Sequence, residues 1–330
     1  MLKLGKLPAD IERETLTRTH DTTDPNYGCE PSKRPIREHI RLGMINLDKP
    51  PGPTSHEVVA WVKLLLNIRR AGHGGTLDPS VSGVLPIALE DATKITQTLL
   101  LSGKEYVCAM HLHADLPQHK VEQIISEFTG EIYQRPPLRA AVRRLLRTRK
   151  IYYIEILERE GRDVLMRVGC EAGTYMRKLV YDIGEALGFG AHMSELRRTR
   201  TGPFREEKSV KLHDLADAYA FWSEEGKEEY LREVIVPVET AALHLPKLVV
   251  RDGAVDALCH GASLAAPGVL TVETGISPED LIAIFTLKGE LIELARSLMN
   301  SRQIYEADHG IVAKPERIVM SPGTYPRKWK

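Results

Sequence analysis

The chain has no net charge: its 45 lysines and arginines are matched by 45 aspartates and glutamates over 330 residues. Overall charge therefore predicts no nucleic-acid partner, and any such argument must rest on local patches. Cysteine is scarce. Cys29, Cys108, Cys170 and Cys259 lie far apart with no CxxC pair, which argues against a disulfide framework or a cysteine zinc site. They read as the reduced thiols of a cytoplasmic protein. No apolar run approaches the ~18 residues of a membrane span, and the N-terminal MLKLGKLPADIERE has no apolar core of signal-peptide length. Internal repeats and low-complexity tracts are absent. What remains is an apolar content of 42%, ordinary for soluble cores, on a length that suggests two domains.

The most informative stretch is GHGGTLDPSVSGVLPIAL, residues 72–89. Gly72, Gly74 and Gly75 surround His73 and permit backbone shapes closed to other residues. Pro79 pushes Asp78 out of the α region and suits the first position of a following helix. The stretch reads as a stiff loop presenting one carboxylate, anchored by an apolar segment. On local chemistry alone Asp78 equally suits a plain helix N-cap. A phosphate-cradling P-loop is disfavoured, because GHGGT lacks the Gly-Lys-Ser/Thr ending.

Upstream, residues 1–40 are polar and rich in turn formers and would pass for a disordered tail. MINLD is a short apolar strand, PPGP a rigid turn, and Thr54 or Ser55 caps a helix carrying Val58, Val59, Val62 and Leu66 at helical spacing. Downstream, alternation over Tyr106, Cys108, Met110 and Leu112 predicts a strand, with Tyr106 as an ordinary half-buried aromatic unless a ligand claims it. HKVEQIISEFTG reads as a helix closed by Gly130. Residues 135–150 carry seven basic side chains and no acidic one: Arg135, Arg139, Arg143, Arg144, Arg147, Arg149 and Lys150. Such a run is usually a solvated face, but its density of arginine suits phosphates and bases. IYYIEILE and DVLMRVGCE form a predicted hairpin around REGR. AGTYMRKLVYDIGEALG predicts a helix capped by Thr174 and ended by Gly188. Arg177 falls in its first turn, where a cation opposes the helix dipole unless an anion is near. Pro237 and Pro246 bracket a domain boundary, and the chain beyond alternates short apolar runs with glycine turns.

GHGGTLDP followed by SGVLPIALEDATKI resembles the signature of the TruB/dyskerin family of RNA pseudouridine synthases. LDKPPGPTSHEVV, the K-x-Y strand, GTYMRKLVYDIG and ELRRTRTGPF resemble further motifs of that family, and KLVVRDGAVDALCHGASLAAPGVL is similar to the PUA domain. The short connection after KEYV and the stretch QRPPLRAAV resemble the archaeal and eukaryotic guide-RNA-dependent branch. Together the resemblance covers nearly the whole chain. It implies an α+β fold, with a mixed, largely antiparallel central sheet flanked by helices and a small β-pseudobarrel. The implied organisation is an N-terminal extension (1–40) packed on the C-terminal domain, a catalytic domain (41–240) and a PUA domain (246–322).

The same resemblance implies a function and a site. It implies an isomerase turning uridine into pseudouridine in rRNA or tRNA (the T-loop uridine in the latter), without cofactor or metal. Implied partners are guide RNA, substrate RNA and small accessory H/ACA ribonucleoprotein subunits, with no membrane. Asp78 becomes the catalytic residue, Tyr106 stacks on the target base, and Arg177 pairs with Asp78. Lys49 braces the loop and Leu196 packs against the site. His73, Arg139, Arg143, Arg144, Arg147, Arg197, Arg198, His260, Gly261 and Ala262 are RNA-contact candidates, with Arg200 a further phosphate candidate. A reacting carboxylate must be ionised, and burial opposes ionisation unless a cation offsets it. The Asp78–Arg177 pair is therefore expected to be close and shielded from water. The competing reading is a non-catalytic RNA-binding scaffold, against which an intact Asp78, Tyr106 and Arg177 argue.

If the basic stretch grips RNA, replacing Arg143, Arg144 and Arg147 together by alanine will weaken binding. The slope of log affinity against log salt will fall by roughly 2–3 units. An unchanged slope in a filter-binding titration would mean a solvated face.

Overall fold

Apolar runs build two sheets in a computed structural model, which describes residues 6–136, 143 and 145–327. The elements, in chain order, begin with β1 (Thr15–Thr17), α1 (Ile36–Arg41), β2 (Gly43–Lys49), α2 (Ser55–Leu65), β3 (Ala71–His73), β4 (Ser82–Leu89), α3 (Thr96–Leu101) and β5 (Lys104–Leu112). There follow α4 (Gln118–Glu127), β6 (Gly130–Gln134), β7 (Arg147–Glu160), β8 (Asp163–Cys170), α5 (Met176–Leu187), β9 (Ala191–Thr201), β10 (Phe204–Arg205), α6 (Leu212–Glu225), α7 (Glu229–Val234) and β11 (Val236–Pro237). The last part holds β12 (Lys247–Val250), α8 (Asp252–Cys259), β13 (Leu264–Ala265), β14 (Val269–Glu273), β15 (Leu281–Phe285), β16 (Leu291–Ser297), α9 (Ser301–Glu306) and β17 (Ile311–Ile318).

The larger sheet runs β11-β2-β4-β9-β5-β8-β7-β6, with β3 on β4 and β10 on β9; it is antiparallel except where β4 meets β9. The smaller runs β1-β14-β12-β15-β16-β17-β13, with β12 and β15 parallel. This is the expected mixed, largely antiparallel α+β architecture. The predicted hairpin is β7–β8, paired from Ile151↔Cys170 to Glu160↔Asp163.

Helices cover the larger sheet because each keeps one apolar stripe. Val58, Val59 and Val62 of α2 meet Ile45, Leu47, Leu85, Ile87 and Leu89. Leu179, Val180 and Ile183 of α5 meet Cys108, Met110, Met166 and Val168. A third cluster joins the sheets: Met44, Val84, Ile95 and Leu99 pack with Ala283, Phe285, Leu291 and Val319. The polar N-terminal segment is not a loose tail. Its β1 adds to the edge of the smaller sheet through Thr15↔Glu273 to Thr17↔Thr271, and buried Arg34 forms a two-pronged pair with Glu239 at 2.7 and 2.9 Å.

Three local expectations fail. No helix follows Pro79; SGVLPIAL is the buried strand β4, its register set by β2, and Pro86 sits just past the end of the β3–β4 ladder, where its missing N–H is not needed. Thr174 does not cap α5: the N-cap is Tyr175, and the Thr174 hydroxyl donates instead to the Glu171 carbonyl at 2.7 Å. Helix α4 closes at Phe128, before Gly130, which opens β6.

Glu293 on β16 is fully buried, and neither carboxyl oxygen has a hydrogen-bond partner among the described residues. Burial pushes its pKa up to about 8 from the ordinary glutamate value of 4.5. The folded chain thus keeps the proton that the unfolded chain loses, so this group's stability contribution is whole below pH 4.5 and is lost as pH rises towards 8. The stability difference between wild type and Glu293→Gln should fall by up to ~1.4 kcal/mol per pH unit across that window in urea titrations. A difference constant with pH would show that Glu293 is already ionised.

Candidate active site

The loop between β3 and β4 is held almost wholly by its backbone carbonyls. Lys49, at the end of β2 and fully buried, donates to the carbonyls of Pro50 (2.9 Å), Pro79 (3.2 Å) and Val81 (2.9 Å). Burial depresses its pKa, with Arg198 adding to the effect. From the opposite side Arg198 donates to Val84 (2.7 Å), Gly75 (2.9 Å) and Thr76 (3.5 Å). The Ser55 hydroxyl, in the first turn of α2, exchanges hydrogen bonds with the Leu77 carbonyl and amide at 3.1 and 2.9 Å. Thr54, not Ser55, is the α2 cap. Leu77 is buried as the hydrophobic anchor, and the next residue, Asp78, is lifted into the open. Gly75 has φ +136°, a value that strains any side-chain-bearing residue.

Arg177 reaches the loop from the first turn of α5, its Nη2 donating to Asp78 Oδ2 at 3.0 Å. The expected pairing across 99 residues is present. The expected shielding is not, since both side chains are 60% exposed. α5 packs on β5, β8 and β9, and its first turn brings Arg177 to the loop.

Behind the pair lies Tyr106 on β5, half-buried and packed with Leu196 at the junction of the two helix-covered cores. Burial raises its hydroxyl pKa; Arg198 opposes the shift. His73 accepts from the Gly75 amide through Nδ1 at 3.3 Å and stands edge-on to His56. Burial lowers its pKa, and His56 and Arg198 add to this, so the ring is a neutral acceptor in the loop. Lys104, two residues before Tyr106, is buried and caps α3 through the carbonyls of Leu99, Leu100 and Ser102 at 2.9, 2.9 and 2.8 Å. Its pKa is brought to about 7, chiefly by burial.

The remaining candidates divide. Arg198 is 1% exposed and Arg200 5%, so neither can meet a phosphate. Arg200 is committed to the Gly202 carbonyl and Asp10. Arg197 is half-buried and bidentate on Asp48 at 2.9 and 3.1 Å, with Glu206 at 2.9 Å. It is a partnered brace, not a free phosphate donor. Arg143 is exposed and Arg147 half-exposed at the start of β7, while Arg139 and Arg144 lie outside the described residues. His260, Gly261 and Ala262 form an exposed turn after α8, in the smaller sheet's domain and apart from Asp78. The sequence marks Ser55 only as a possible helix cap and gives no sign of Lys104; a hydroxyl at a helix start and a lysine at a strand start carry no site signal until the fold buries them.

Four family models match consecutive stretches. They are the DKCLD (NUC011) domain over 5–59, the TruB family pseudouridylate synthase N-terminal domain over 63–176, the tRNA pseudouridylate synthase B C-terminal domain over 177–242, and the PUA domain over 246–319. The chain is 62% identical over 324 residues to a probable tRNA pseudouridine synthase B of Methanopyrus kandleri, covering 98% of this chain and 96% of that protein. Against the Pyrococcus furiosus protein of the same name it is 59% identical over 326 residues, again covering 98% and 96%. Among solved structures, a Cbf5-Nop10-Gar1 complex matches with a TM-score of 0.94 and 59% identity, covering 98% of both chains. An H/ACA RNP bound to a substrate RNA containing 2'-deoxyuridine matches at 0.93 and 57%, covering 98% of this chain and 100% of that one.

The two kinds of ion in this site should behave differently. Lys49→Met removes a buried ammonium from three carbonyls, that of Val81 in a buried contact, and should cost about 2–3 kcal/mol. Arg177→Ala breaks an exposed pair and should cost about 0–1 kcal/mol. Urea denaturation of the two variants compares them directly, and the reverse ranking would contradict the roles assigned here.

Proposed function

This chain belongs to the TruB/dyskerin family of RNA pseudouridine synthases, and from that premise we propose that it isomerises uridine to pseudouridine in rRNA or tRNA as the catalytic subunit of an H/ACA guide ribonucleoprotein. The observation that carries the reading is Asp78: a lone carboxylate on a carbonyl-clamped loop, 3.0 Å from Arg177 and open to a large substrate. The solved relatives sit with Nop10 and Gar1 and with a substrate RNA. Guide RNA, substrate RNA and small accessory subunits are the proposed partners here.

The reaction breaks the bond from the ribose to the uracil nitrogen, turns the ring, and rejoins it through a ring carbon that then loses its proton. Atoms and oxidation state are conserved. The uridine must first leave its stack, at a cost of a few kcal/mol. Stacking on Tyr106 returns roughly 1–3 kcal/mol of that. Asp78 is the proposed nucleophile or base, and Arg177 holds its carboxylate in one orientation through a planar guanidinium. Because the pair is exposed in the free protein, the shielding that chemistry needs is supplied by the RNA itself when the flipped base covers the loop. Arg143, Arg147 and the His260–Ala262 turn are proposed RNA contacts, supported by their exposure. The four cysteines are free, and among the described residues no helix is long and apolar enough to cross a membrane. We place the protein in the cytoplasm.

Asp78→Asn should abolish isomerisation of uridine-labelled RNA, assayed with guide RNA and accessory proteins, while leaving folding and RNA affinity nearly intact. Arg177→Lys should restore only part of what Arg177→Ala loses, since a point charge lacks the fork. A near-wild-type rate for Asp78→Asn sinks the assignment, and equal rates with and without guide RNA sink the guide dependence.

A further inference from the structure

The glycine half of the Asp78 loop lies on α3 and on the start of β5. Gly74 packs so closely there that a Cβ would lie 2.8 Å from Leu99 Cβ. A Cβ at Gly75 would lie 3.6 Å from Lys104 Cε. Fully buried Leu99 and the stem of Lys104 are thus the floor beneath this half of the loop, and Asp78 follows shortly after Gly75. The two floor residues form one unit. The last carbonyls of a helix have no partner within it, and α3 has only 6 residues. Lys104, 5% exposed, donates to the carbonyls of Leu99 and Leu100 at 2.9 Å and of Ser102 at 2.8 Å. An ammonium has three protons. Here each goes to the end of α3, where the helix dipole also favours a cation. The Ser102 hydroxyl adds a bond to the Leu99 carbonyl at 2.8 Å. Lys104 and Tyr106 alternate with Glu105 on β5 and so share one face of the strand.

The reaction gives this lysine no direct part, because its ammonium is buried and all its protons are taken. Ending a helix does not require it either. A glycine or a surface cation ends a helix without burying a charge. What a buried lysine adds is a rigid link between the strand that carries Tyr106 and the turn that carries the loop. We propose that Lys104 is a positioning residue for the reaction: it fixes the last turn of α3 as the bed for Gly74 and Gly75, and so sets where Asp78 stands relative to Tyr106. The division of labour with the other buried cations fits. Lys49 and Arg198 hold carbonyls of the loop itself, whereas Lys104 holds the element under it. Without the ammonium the α3 turn is free to shift, Leu99 moves with it, and the loop loses its bed. The kinetic arm of the test rests on the pseudouridine synthase reading; the exchange arm does not.

The test compares Lys104→Met, which fills the volume but offers no donor, with Leu99→Ala and with the double variant. The kinetic arm is single-turnover isomerisation in the particle assembled with guide RNA. Each single variant should lose at least about tenfold in rate at saturating RNA, with RNA affinity within about twofold of wild type. The double variant should lose no more than the worse single one, the signature of groups acting as a unit. Ile282→Ala, in the core of the smaller sheet's domain, supplies a destabilised control that should keep the wild-type rate. A wild-type rate for Lys104→Met, multiplicative losses in the double variant, or an equal loss in the control would overturn the proposal. The second arm is hydrogen exchange of the full chain. In Lys104→Met the Gly74 amide, bonded to the Pro86 carbonyl at 2.8 Å, should exchange at least about tenfold faster while the β7–β8 hairpin is unchanged. Loop exchange that is unchanged, or that rises only together with the hairpin, would overturn it. Should Lys104→Met fail to fold, Gly74→Ala decides, since it leaves the lysine in place and lifts the loop off Leu99. It should show the same rate loss at unchanged RNA affinity, and a wild-type rate would overturn the bed. An inactive wild-type particle would instead fault the pseudouridine synthase reading, and the exchange result would still decide the role of Lys104.

Discussion

Backbone carbonyls of one loop, captured by buried cations, are the constraint on which the rest depends. Lys49 from β2 and Arg198 from β9 approach the stretch 75–84 from two sides and take up six carbonyls between Pro50 and Val84. A loop so held cannot relax when its carboxylate meets a bulky polyanion. The cost of desolvating the cations is met by their hydrogen bonds and by the cores on either side of the sheet. Rigidity beneath Asp78 allows openness above it, and the site can be exposed without being loose.

Exposure changes the account of the Asp78–Arg177 pair. A buried pair would contribute mainly through uncompensated charge. An exposed pair contributes little to stability, so what the Arg177 contact supplies in this structure is the orientation of the Asp78 carboxylate. The same logic separates the arginines of ELRRTRTGPF. Alternation along β9 sends Arg197 to the Asp48–Glu206 side and Arg198 to the interior. Three arginines that look alike on paper are two braces and one clamp.

The second sheet is tied to the first by a shared apolar cluster, by Arg34–Glu239 and by the β1 strand at its edge. The exposed turn at His260–Ala262 is therefore held in a fixed relation to the Asp78 loop.

Sequence alone determined much of this. Alternation in KEYVCAMHL and helical spacing in SHEVVAWV and MRKLVYDIG are local patterns, and each formed the element it predicts. Glycine and proline punctuation marked Asp78 as a carboxylate on a stiff loop, and a cation in a helix's first turn asked for an anion at Arg177; the catalytic role and the pairing came from the family resemblance. Tertiary structure decided the rest. Whether SGVLPIAL became strand or helix depended on β2 lying alongside it, paired from Met44↔Ala88 to Lys49↔Gly83. Whether Arg198 met water or the carbonyls of the loop depended on which face of β9 was buried. Burial is a sum over distant neighbours that no short window contains, and burial is what turned a lysine, a serine and an arginine into the frame that holds the carboxylate.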